Sequence, residues 1–319
     1  MMRVLMLNAF HWPKGGVERT VFDETRWLEA QGHEVAHFAT RDARNRPSPF
    51  AAHFAPAADF GEGTPALHQL PQLSRAVWSA PAAAALRGLL AEWRPDVAHV
   101  HAPSRYLTPS VIEALASESV PMVMSMHDFK PWCTNRVLFA HGAHCERCKG
   151  GQHWRAVTTG CVQGSRLKSI VGAFEAYTHD RRGAYRPVHR FLAPSQAARD
   201  QAVAMGADGA RIVVLPHGVD AAPREIAPIE TPARFVLFAG RLSSEKGVDQ
   251  LPALAQAIAP VPLWVAGGGP MESWLRTHAS ANLRVLGTLE PGELAVIRAR
   301  ASAVVVPSTF PETFGYAVA

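Results

Sequence analysis

The sequence predicts an α/β protein built on parallel β-sheets, and three observations support that prediction. Short apolar runs of strand length alternate with segments of helical periodicity along most of the chain. Two of these runs are followed by glycines that open a turn or a helix, at Gly15 and Gly16 and at Gly240. A chain of 319 residues, 48% of them hydrophobic, is long enough to bury two cores. We therefore expect one or two α/β domains, and the run of predicted elements divides into two.

The first domain is expected to span residues 1–217. Apolar runs predict strands at 3–10, 34–40, 96–102, 121–127, 189–195 and 212–215, with helices at 16–32, 73–93, 108–119, 167–185 and 196–205. The segment 41–71 is rich in Pro, Ala and Gly and has little periodicity, which predicts a long loop with one short strand near Ala52. Strands that alternate with helices in this way indicate a parallel sheet.

The second domain is expected at 233–319, after a Pro-rich linker at 218–232. Its predicted strands are 235–239, 263–266, 284–286 and 303–306. The first of them is apolar at every position, which is typical of a strand covered on both faces. The spacing of Leu251, Leu254 and Ile258 predicts a helix soon after it.

Two cations follow the first strand of this second domain. Arg241 comes directly after Gly240, and Lys246 lies five positions further, before the predicted helix. Ligands of open α/β sheets bind at the carboxyl ends of the strands, and a fork-shaped Arg with a neighbouring Lys suits a phosphate or diphosphate. We therefore expect an anion site at Gly240, Arg241 and Lys246.

The segments 240–247 (GRLSSEKG) and 307–315 (PSTFPETFG) together resemble the donor-site signature of the retaining GT-B glycosyltransferases of family 4. The segments 15–19 (GGVER), 127–128 (HD) and 216–220 (PHGVD) extend the resemblance over most of the chain, although Asn is more usual than His217. The resemblance implies a GT-B architecture, in which two Rossmann-like domains face each other across a cleft.

The resemblance also implies roles for particular residues. Arg241 and Lys246 would neutralise the diphosphate of a nucleotide-sugar, and His127 would lie against the donor sugar. Glu312 matches the first member of a Glu-x7-Glu pair that grips sugar and ribose, and the second would follow Ala319. The expected catalytic set is therefore Arg241, Lys246, Glu312 and His127. The other expected donor-binding residues are Gly16, Glu18, Arg19, His101, Asp128, Gly240, Gly268, Phe314 and Gly315.

The sequence ends at Ala319, inside what should be a helix after Gly315. We therefore expect the second domain to be incomplete and the chain to be a fragment.

All four cysteines lie in one segment, an expected insertion at about 129–165. They are Cys133, Cys145, Cys148 and Cys161, and the close pair has a spacing that lets two thiolates reach one metal ion. We expect a structural Zn²⁺, with an iron–sulfur cluster as second choice and a metal-free redox pair as third. His141, His144 or His153 could replace one thiolate. Some family 4 enzymes carry a similar Cys-rich insertion.

The formal charge of +5 and the pI near 9.3 favour an anionic partner. Nucleic acid is not expected, because no aromatic RNA-binding motif or zinc-finger spacing occurs. No apolar run is long enough to cross a bilayer, so we expect a cytoplasmic protein with at most peripheral contact to the inner face of the membrane. Basic residues cluster around the helix predicted at 167–185. They form either a solvated face or a surface for anionic lipid or a lipid-diphosphate acceptor: Arg166, Lys168, Arg181, Arg182, Arg186 and Arg190.

These observations predict transfer of a sugar from a UDP-, GDP- or ADP-sugar to a glycan or lipid-linked acceptor, with retention. Such an enzyme would act in glycan, exopolysaccharide or lipid-linked saccharide synthesis. No metal ion is needed on the diphosphate, because Arg241 and Lys246 supply the positive charge. The alternatives are a GT-B nucleotide-sugar epimerase and an inactive nucleotide-sugar-binding fragment.

Overall fold

The structure of the chain is a computed structural model that describes residues 1–57, 74–218 and 229–316. These residues form two compact units. The first contains the described residues of Met1–Val137 and Glu146–Gly218, and the second those of Leu138–Cys145 and Val219–Ala319. Residues 219–228 lie outside the described part, so the linker expected at 218–232 stays a prediction.

The first unit contains a six-stranded sheet in which every neighbouring pair is parallel. The strand order is β2-β1-β3-β4-β7-β8. These strands are β1 (Arg3–Leu7), β2 (Glu34–Phe38), β3 (Val97–Val100), β4 (Met122–Ser125), β7 (Arg190–Ala193) and β8 (Ile212–Val214). The parallel α/β prediction is therefore confirmed for this unit.

Strand β1 lies inside this sheet, and its sequence shows why. Val4, Leu5, Met6 and Leu7 are all buried, with exposed fractions of 4% or less. A strand with apolar residues on both faces can be satisfied only when both faces are covered, as in parallel sheets. Leu7 pairs in register with Phe38 on one side and Val100 on the other.

The α-helices of the first unit include α1 (Gly16–Ala30), α2 (Ala80–Glu92), α3 (Ser104–Leu107), α4 (Ser110–Ser117), α5 (Trp154–Thr159), α6 (Arg166–Arg182) and α7 (Gln196–Ala204). Side-chain caps fix several of their first residues. The Ser165 hydroxyl accepts a hydrogen bond from the backbone N–H of Lys168 at the start of α6. That helix ends at Gly183, whose φ of 61° favours glycine.

The second unit contains a smaller parallel sheet with the order β11-β10-β9-β12. Its strands are β9 (Val236–Ala239), β10 (Leu263–Ala266), β11 (Leu283–Gly287) and β12 (Ala303–Val304), and its helices are α8 (Leu251–Ile258), α9 (Glu272–His278) and α10 (Pro291–Arg300). An antiparallel hairpin, β5 (Phe139–Ala140) and β6 (Ala143–His144), belongs to the segment Leu138–Cys145 that is grouped with this unit.

Strand β9 separates two apolar cores, as its sequence predicts. Phe235 and Leu237 lie in one buried cluster, together with Trp264 and Ile297. Phe238 lies in the other cluster. Successive side chains of a strand point to opposite faces, so an uninterrupted apolar run supplies both cores.

Two local predictions are wrong. The short strand expected near Ala52 is a 3₁₀ turn, Ala51–His53, and the only bridge at this point among the described residues pairs Thr40 with Ala55. The single helix expected at 73–93 is interrupted at Trp78 and Ser79. Here the Ser79 hydroxyl accepts a hydrogen bond from the N–H of Ala82 and so begins a new helix.

Within the part of the chain that the structure describes, no helix combines the length and apolar character needed to cross a membrane.

Candidate functional site

The cationic turn after β9 packs against the segment that carries Glu312. The Lys246 Nζ donates to Glu312 Oε1 at 2.6 Å, and the Ser308 hydroxyl donates to the same oxygen at 2.5 Å. The backbone N–H of Thr309 donates to the carbonyl of Glu245 at 3.0 Å. Two segments separated by some sixty residues therefore place Lys246 and Glu312 at one point.

Gly247 makes this approach sterically feasible. Its φ is +70°, and a Cβ at this position would lie 2.1 Å from the carbonyl oxygen of Pro307. A side chain here would be strained and would also push the two segments apart. The glycine in the Lys-Gly pair is therefore required by the contact that brings Glu312 to Lys246.

The glycines at 267–269 follow β10 and lie directly against the same turn. A Cβ on Gly267 would lie 1.9 Å from the carbonyl oxygen of Gly240, and one on Gly269 would lie 2.4 Å from that of Leu242. The Leu242 N–H donates to the carbonyl of Gly268 at 3.0 Å. The predicted donor residues Gly240 and Gly268 thus belong to one closely packed backbone layer.

The charges of this turn remain partly accessible. Arg241 is exposed, and the side chains of Lys246 and Glu312 are each 25% exposed. The ammonium of Lys246 also lies 4.8 Å from the ring centroid of Phe310. An ion pair at this exposure contributes little to stability, about 0–1 kcal/mol. Arg241, Lys246 and Glu312 can therefore face a ligand without a large loss of folding energy.

Phe314 and Gly315 are described at the end of this segment. The Phe314 ring meets the Tyr316 ring edge-on, with centroids 4.9 Å apart, and Gly315 has a φ of 78°. The helix expected after Gly315 runs into residues 317–319, which lie outside the described part.

In the first unit, the turn after β1 presents the predicted residues Gly16, Glu18 and Arg19. Gly16 is the first residue of α1, and Glu18 is buried. The Asn8 side-chain amide donates to Glu18 Oε1 at 3.0 Å, so β1 fixes this carboxylate. The Arg19 Nε lies 3.6 Å from Asp23 Oδ2, one turn further along α1.

Four histidines and one carboxylate form a buried cluster in the first unit, which we call the histidine cluster. It contains the predicted residues His101 and His127, and three residues that the sequence analysis did not select: Glu24, His99 and His217. His101 Nδ1 and His127 Nε2 are 3.0 Å apart, and the His127 ring stacks on the His217 ring with centroids 5.1 Å apart. Glu24 projects from α1 towards these rings.

The histidine cluster holds its imidazoles in the neutral form. Burial lowers the pKa of His127 to about 3 and that of His99 to about 4, and the neighbouring His217 adds to both shifts. Burial and the nearby Asp23 raise the pKa of Glu24 to about 7. Neutral imidazoles can donate and accept hydrogen bonds, which suits them to orient a ligand more than to neutralise one.

Asp128 lies beside this cluster, at the rim of a small cavity. The cavity is lined by His101, His127, Asp128 and Tyr185, among others. Asp128 accepts a hydrogen bond from the backbone N–H of Lys130 at 2.9 Å, and the Arg136 Nε lies 3.6 Å from its other carboxylate oxygen. The structure therefore brings the predicted residues His101, His127 and Asp128 together.

The cysteines form no disulfide. Cys133, Cys148 and Cys161 lie in the first unit, and they are not gathered into a three-ligand group there, whereas Cys145 is grouped with the second unit. The Cys133 thiol donates to Asn135 Oδ1 at 3.0 Å, and Cys148 Sγ lies 3.7 Å from the Thr134 hydroxyl. A metal at these four residues stays a prediction.

Cys148 has a histidine neighbour that the sequence analysis considered only as a substitute ligand. Burial alone would lower the pKa of His153, but hydrogen bonds to Asp180 and Cys148 raise it to about 9. His153 Nε2 lies 3.0 Å from Asp180 Oδ2. Burial opposes ionisation of Cys148, but its hydrogen bonds with His153 and Thr134 lower its pKa.

Each of the two units is built on a parallel sheet with polar residues at its strand ends, which is the organisation expected of a GT-B glycosyltransferase. The family models agree with this assignment. Residues 14–222 match the model of Glycosyltransferase Family 4, and residues 221–319 match the model of Glycosyl transferases group 1. The chain therefore belongs to glycosyltransferase family 4, and it is a transferase.

Solved structures with similar folds include three glycosyltransferase-type proteins at low sequence identity. A sucrose-phosphate synthase from Thermosynechococcus elongatus aligns with a TM-score of 0.64 and 17% identity, over 99% of this chain and 77% of that one. HepE from Anabaena, in complex with UDP-glucose, aligns with a TM-score of 0.59 and 16% identity, over 100% of this chain and 77% of that one. A glycosyltransferase from Rickettsia africae aligns with a TM-score of 0.58 and 12% identity, over 99% of this chain and 75% of that one. No curated protein matches the sequence.

Proposed function

We propose that this glycosyltransferase transfers a sugar from a nucleotide diphosphate sugar to an acceptor hydroxyl, with retention at the anomeric carbon. The observation that carries the proposal is the hydrogen-bonded ion pair of Lys246 and Glu312, in the turn that Arg241 begins after the carboxyl end of β9. A strand end with two cations suits a diphosphate, and a carboxylate can accept hydrogen bonds from sugar hydroxyls. The similar HepE has been solved with UDP and with UDP-glucose, which supports a nucleotide-sugar donor.

In the proposed reaction, the bond between the anomeric carbon and the diphosphate oxygen breaks, and a bond to the acceptor oxygen forms. Negative charge develops on the departing diphosphate. Arg241 and Lys246 stabilise it, which is the electrostatic role that most transferases of phosphorylated donors require. In this proposal no metal ion is needed on the diphosphate.

Glu312 has a second task in this scheme. In the structure its Oε1 is shared by Lys246 and Ser308, so the carboxylate is held in place by two donors. The other carboxylate oxygen can then accept from a sugar hydroxyl. We assign His127 to the donor sugar on the family resemblance, and its low pKa keeps the imidazole neutral, so that it binds through hydrogen bonds.

A basic and apolar surface on the first unit supports a membrane-associated acceptor, which we propose as the acceptor class. We call it the α5–α6 surface. Leu167, Ile170 and Phe174 are 72%, 50% and 65% exposed on α6, and Trp154 on α5 is 52% exposed. Positions 167, 170 and 174 share one helix face. The adjoining Arg155, Arg166 and Lys168 supply positive charge.

Large exposed apolar side chains flanked by cations favour the interface of an anionic bilayer. Such an interface would hold the chain close to a lipid-linked acceptor. Binding to vesicles of phosphatidylglycerol should exceed binding to vesicles of phosphatidylcholine and should weaken with added salt. The double variant Leu167→Ser with Phe174→Ser should lose this binding, and Val203→Ser, at an exposed valine on α7, should keep it. Equal binding by both variants would refute the membrane surface.

The transfer reaction itself is tested by incubating the chain with labelled UDP-, GDP- and ADP-sugars and a panel of acceptors. A glycoside product whose anomeric configuration equals that of the donor, read by NMR, supports the proposal. An inverted product would contradict retention. A donor that returns as its epimer without any transfer would indicate the epimerase alternative.

A further inference from the structure

We propose that Glu24, His99 and His101 form a binding site for a divalent transition metal ion of the zinc class. Their ligand atoms all lie within 4.8 Å of one another, and they are the three-ligand group that the described residues offer. Glu24 Oε2 lies 3.3 Å from His99 Nδ1 and 3.5 Å from His101 Nε2. One ion placed between them could be reached by all three side chains.

A buried imidazole nitrogen of His101 supports this assignment. His101 Nε2 is buried and has no hydrogen-bond partner among the residues that the structure describes, and the side chain has no exposed surface. A buried polar atom without a hydrogen-bond partner lowers the stability of a fold by about 1–3 kcal/mol, so such an atom calls for an explanation. The atom lies 3.5 Å from Glu24 Oε2 and forms no hydrogen bond with it, and a cation between the two would satisfy both.

The outer nitrogens of both imidazoles are already hydrogen-bonded. His99 Nε2 lies 2.8 Å from the Ser125 hydroxyl, and His101 Nδ1 lies 3.0 Å from His127 Nε2. Histidines that bind metals typically donate their second N–H to such a partner, which fixes the tautomer and the ring orientation. In that tautomer the inner nitrogens, His99 Nδ1 and His101 Nε2, present lone pairs towards Glu24.

Regular secondary structure positions the three ligands. Glu24 lies in the middle of α1, His99 lies in β3, and His101 follows its last residue. Residues two apart on a strand share a face, so the sequence His-Val-His directs both rings to the same side. A site carried by a helix and a strand is more rigid than one carried by loops.

The donor set indicates the class of ion. Imidazole nitrogens with one carboxylate suit Zn²⁺, whereas Mg²⁺ and Ca²⁺ prefer oxygen ligands alone. Two His and one Glu leave a coordination position open. His217 Nδ1 lies 4.0 Å from the other oxygen of Glu24, so it is the nearest further imidazole to that carboxylate.

The metal would also determine which ring nitrogen of neutral His127 carries the proton. If His101 Nε2 binds the ion, then His101 Nδ1 carries the proton and donates it in a hydrogen bond to His127 Nε2. The proton of neutral His127 is then on Nδ1. This last step rests on the proposed function, since it matters only where His127 contacts a donor sugar; the metal site itself does not depend on it.

The test is metal binding by the chelator-treated chain, measured by calorimetry with Zn²⁺ and by the absorption spectrum with Co²⁺. We expect an ion bound by nitrogen and oxygen ligands, whose Co²⁺ absorption is retained in Cys148→Ser and lost in Glu24→Gln. Glu24→Gln should weaken Zn²⁺ binding by at least about 10-fold, because even changes of outer partners cost roughly 10- to 100-fold. Cys148→Ser is the matched control and should bind this ion as the wild type does.

A second measurement separates loss of the site from loss of folding. Zn²⁺ should raise the melting temperature of the wild type and of Cys148→Ser, and it should not raise that of Glu24→Gln or His101→Asn. Unchanged Zn²⁺ affinity in both of the latter variants would overturn the proposal. Arg241→Ala should leave Zn²⁺ binding unchanged, so failure of the diphosphate site and failure of the metal site give different results.

Discussion

The histidine cluster of the first unit and the cationic turn of the second unit use opposite physical means. The cluster buries its polar groups and keeps its imidazoles uncharged, as the lowered pKa values of His99 and His127 show. The turn leaves Arg241 exposed and Lys246 partly exposed, and it is shaped by the close backbone contacts of Gly247 and Gly267. Burial suits groups that position a ligand or bind a metal, and partial exposure suits cations that must receive a diphosphate from water.

The largest effect is expected at the cationic turn. Lys246→Ala should lower kcat/KM for sugar transfer by on the order of 10²-fold or more, because it removes a charge that faces the departing diphosphate. Arg276→Ala is the matched control, since Arg276 is an exposed cation of the same unit that pairs with Glu272. Steady-state kinetics with the accepted donor would measure both. Equal activity of the two variants would contradict the role of Lys246.

The next effect concerns acid and two further histidines of the first unit, His11 and His37, which lie outside the histidine cluster. Burial, with the charge of Arg46, lowers the pKa of His11 to about 4; burial, with His11 and Arg46, lowers that of His37 to about 3. The unfolded chain binds these protons near pH 6.5 and the folded chain does not, so the contribution of these two histidines to stability is complete above about pH 6.5 and is lost as the pH drops towards 4. The combined loss should be on the order of a few kcal/mol.

Urea unfolding midpoints between pH 7 and pH 4 would measure this loss. His37→Gln cannot become protonated in this range, and its amide can still reach the Thr25 hydroxyl, which lies 3.4 Å from His37 Nε2. Its midpoint should therefore depend less steeply on pH than that of the wild type. Parallel curves for the two proteins would show that His37 does not titrate on unfolding.

The smallest effect separates the two requirements on Gly247. Gly247→Ala combines a positive φ with a clash against the carbonyl oxygen of Pro307, whereas Gly32→Ala has a positive φ of 81° and no atom within 4 Å of the added Cβ. The second substitution should cost about 1 kcal/mol and the first more, on the order of 2–3 kcal/mol. Thermal unfolding compares them. Equal costs would mean that the segment around Pro307 moves freely away from the turn.

The sequence predicted those parts of the molecule that depend on local pattern. The apolar run 235–239 was sufficient to place β9 between two cores, and the glycine turns marked the strand ends. Glu24, His99 and His217 were missed, because their meeting depends on how α1, β3 and the segment after β8 pack together. The His-Val-His alternation at 99–101 was a usable signal, since both rings must share a strand face.

Errors occurred where local chemistry interrupts a pattern. Ser79 caps a new helix inside a segment whose periodicity looks continuous, so the predicted helix at 73–93 is broken there. The cysteine spacing predicts one metal site, which stays a prediction; in the structure the thiols of Cys133 and Cys148 are hydrogen-bonded to Asn135 and Thr134. Spacing along the chain does not determine which way side chains turn in a segment rich in glycine and short turns.

Donor binding tests the central claim most directly. Calorimetry with UDP-, GDP- and ADP-sugars should show one donor class that binds the wild type, binds Arg276→Ala equally well, and no longer binds Arg241→Ala or Lys246→Ala. That result would establish the turn after β9 as the diphosphate site and would name the nucleotide. Donor binding that survives both Arg241→Ala and Lys246→Ala would contradict the account.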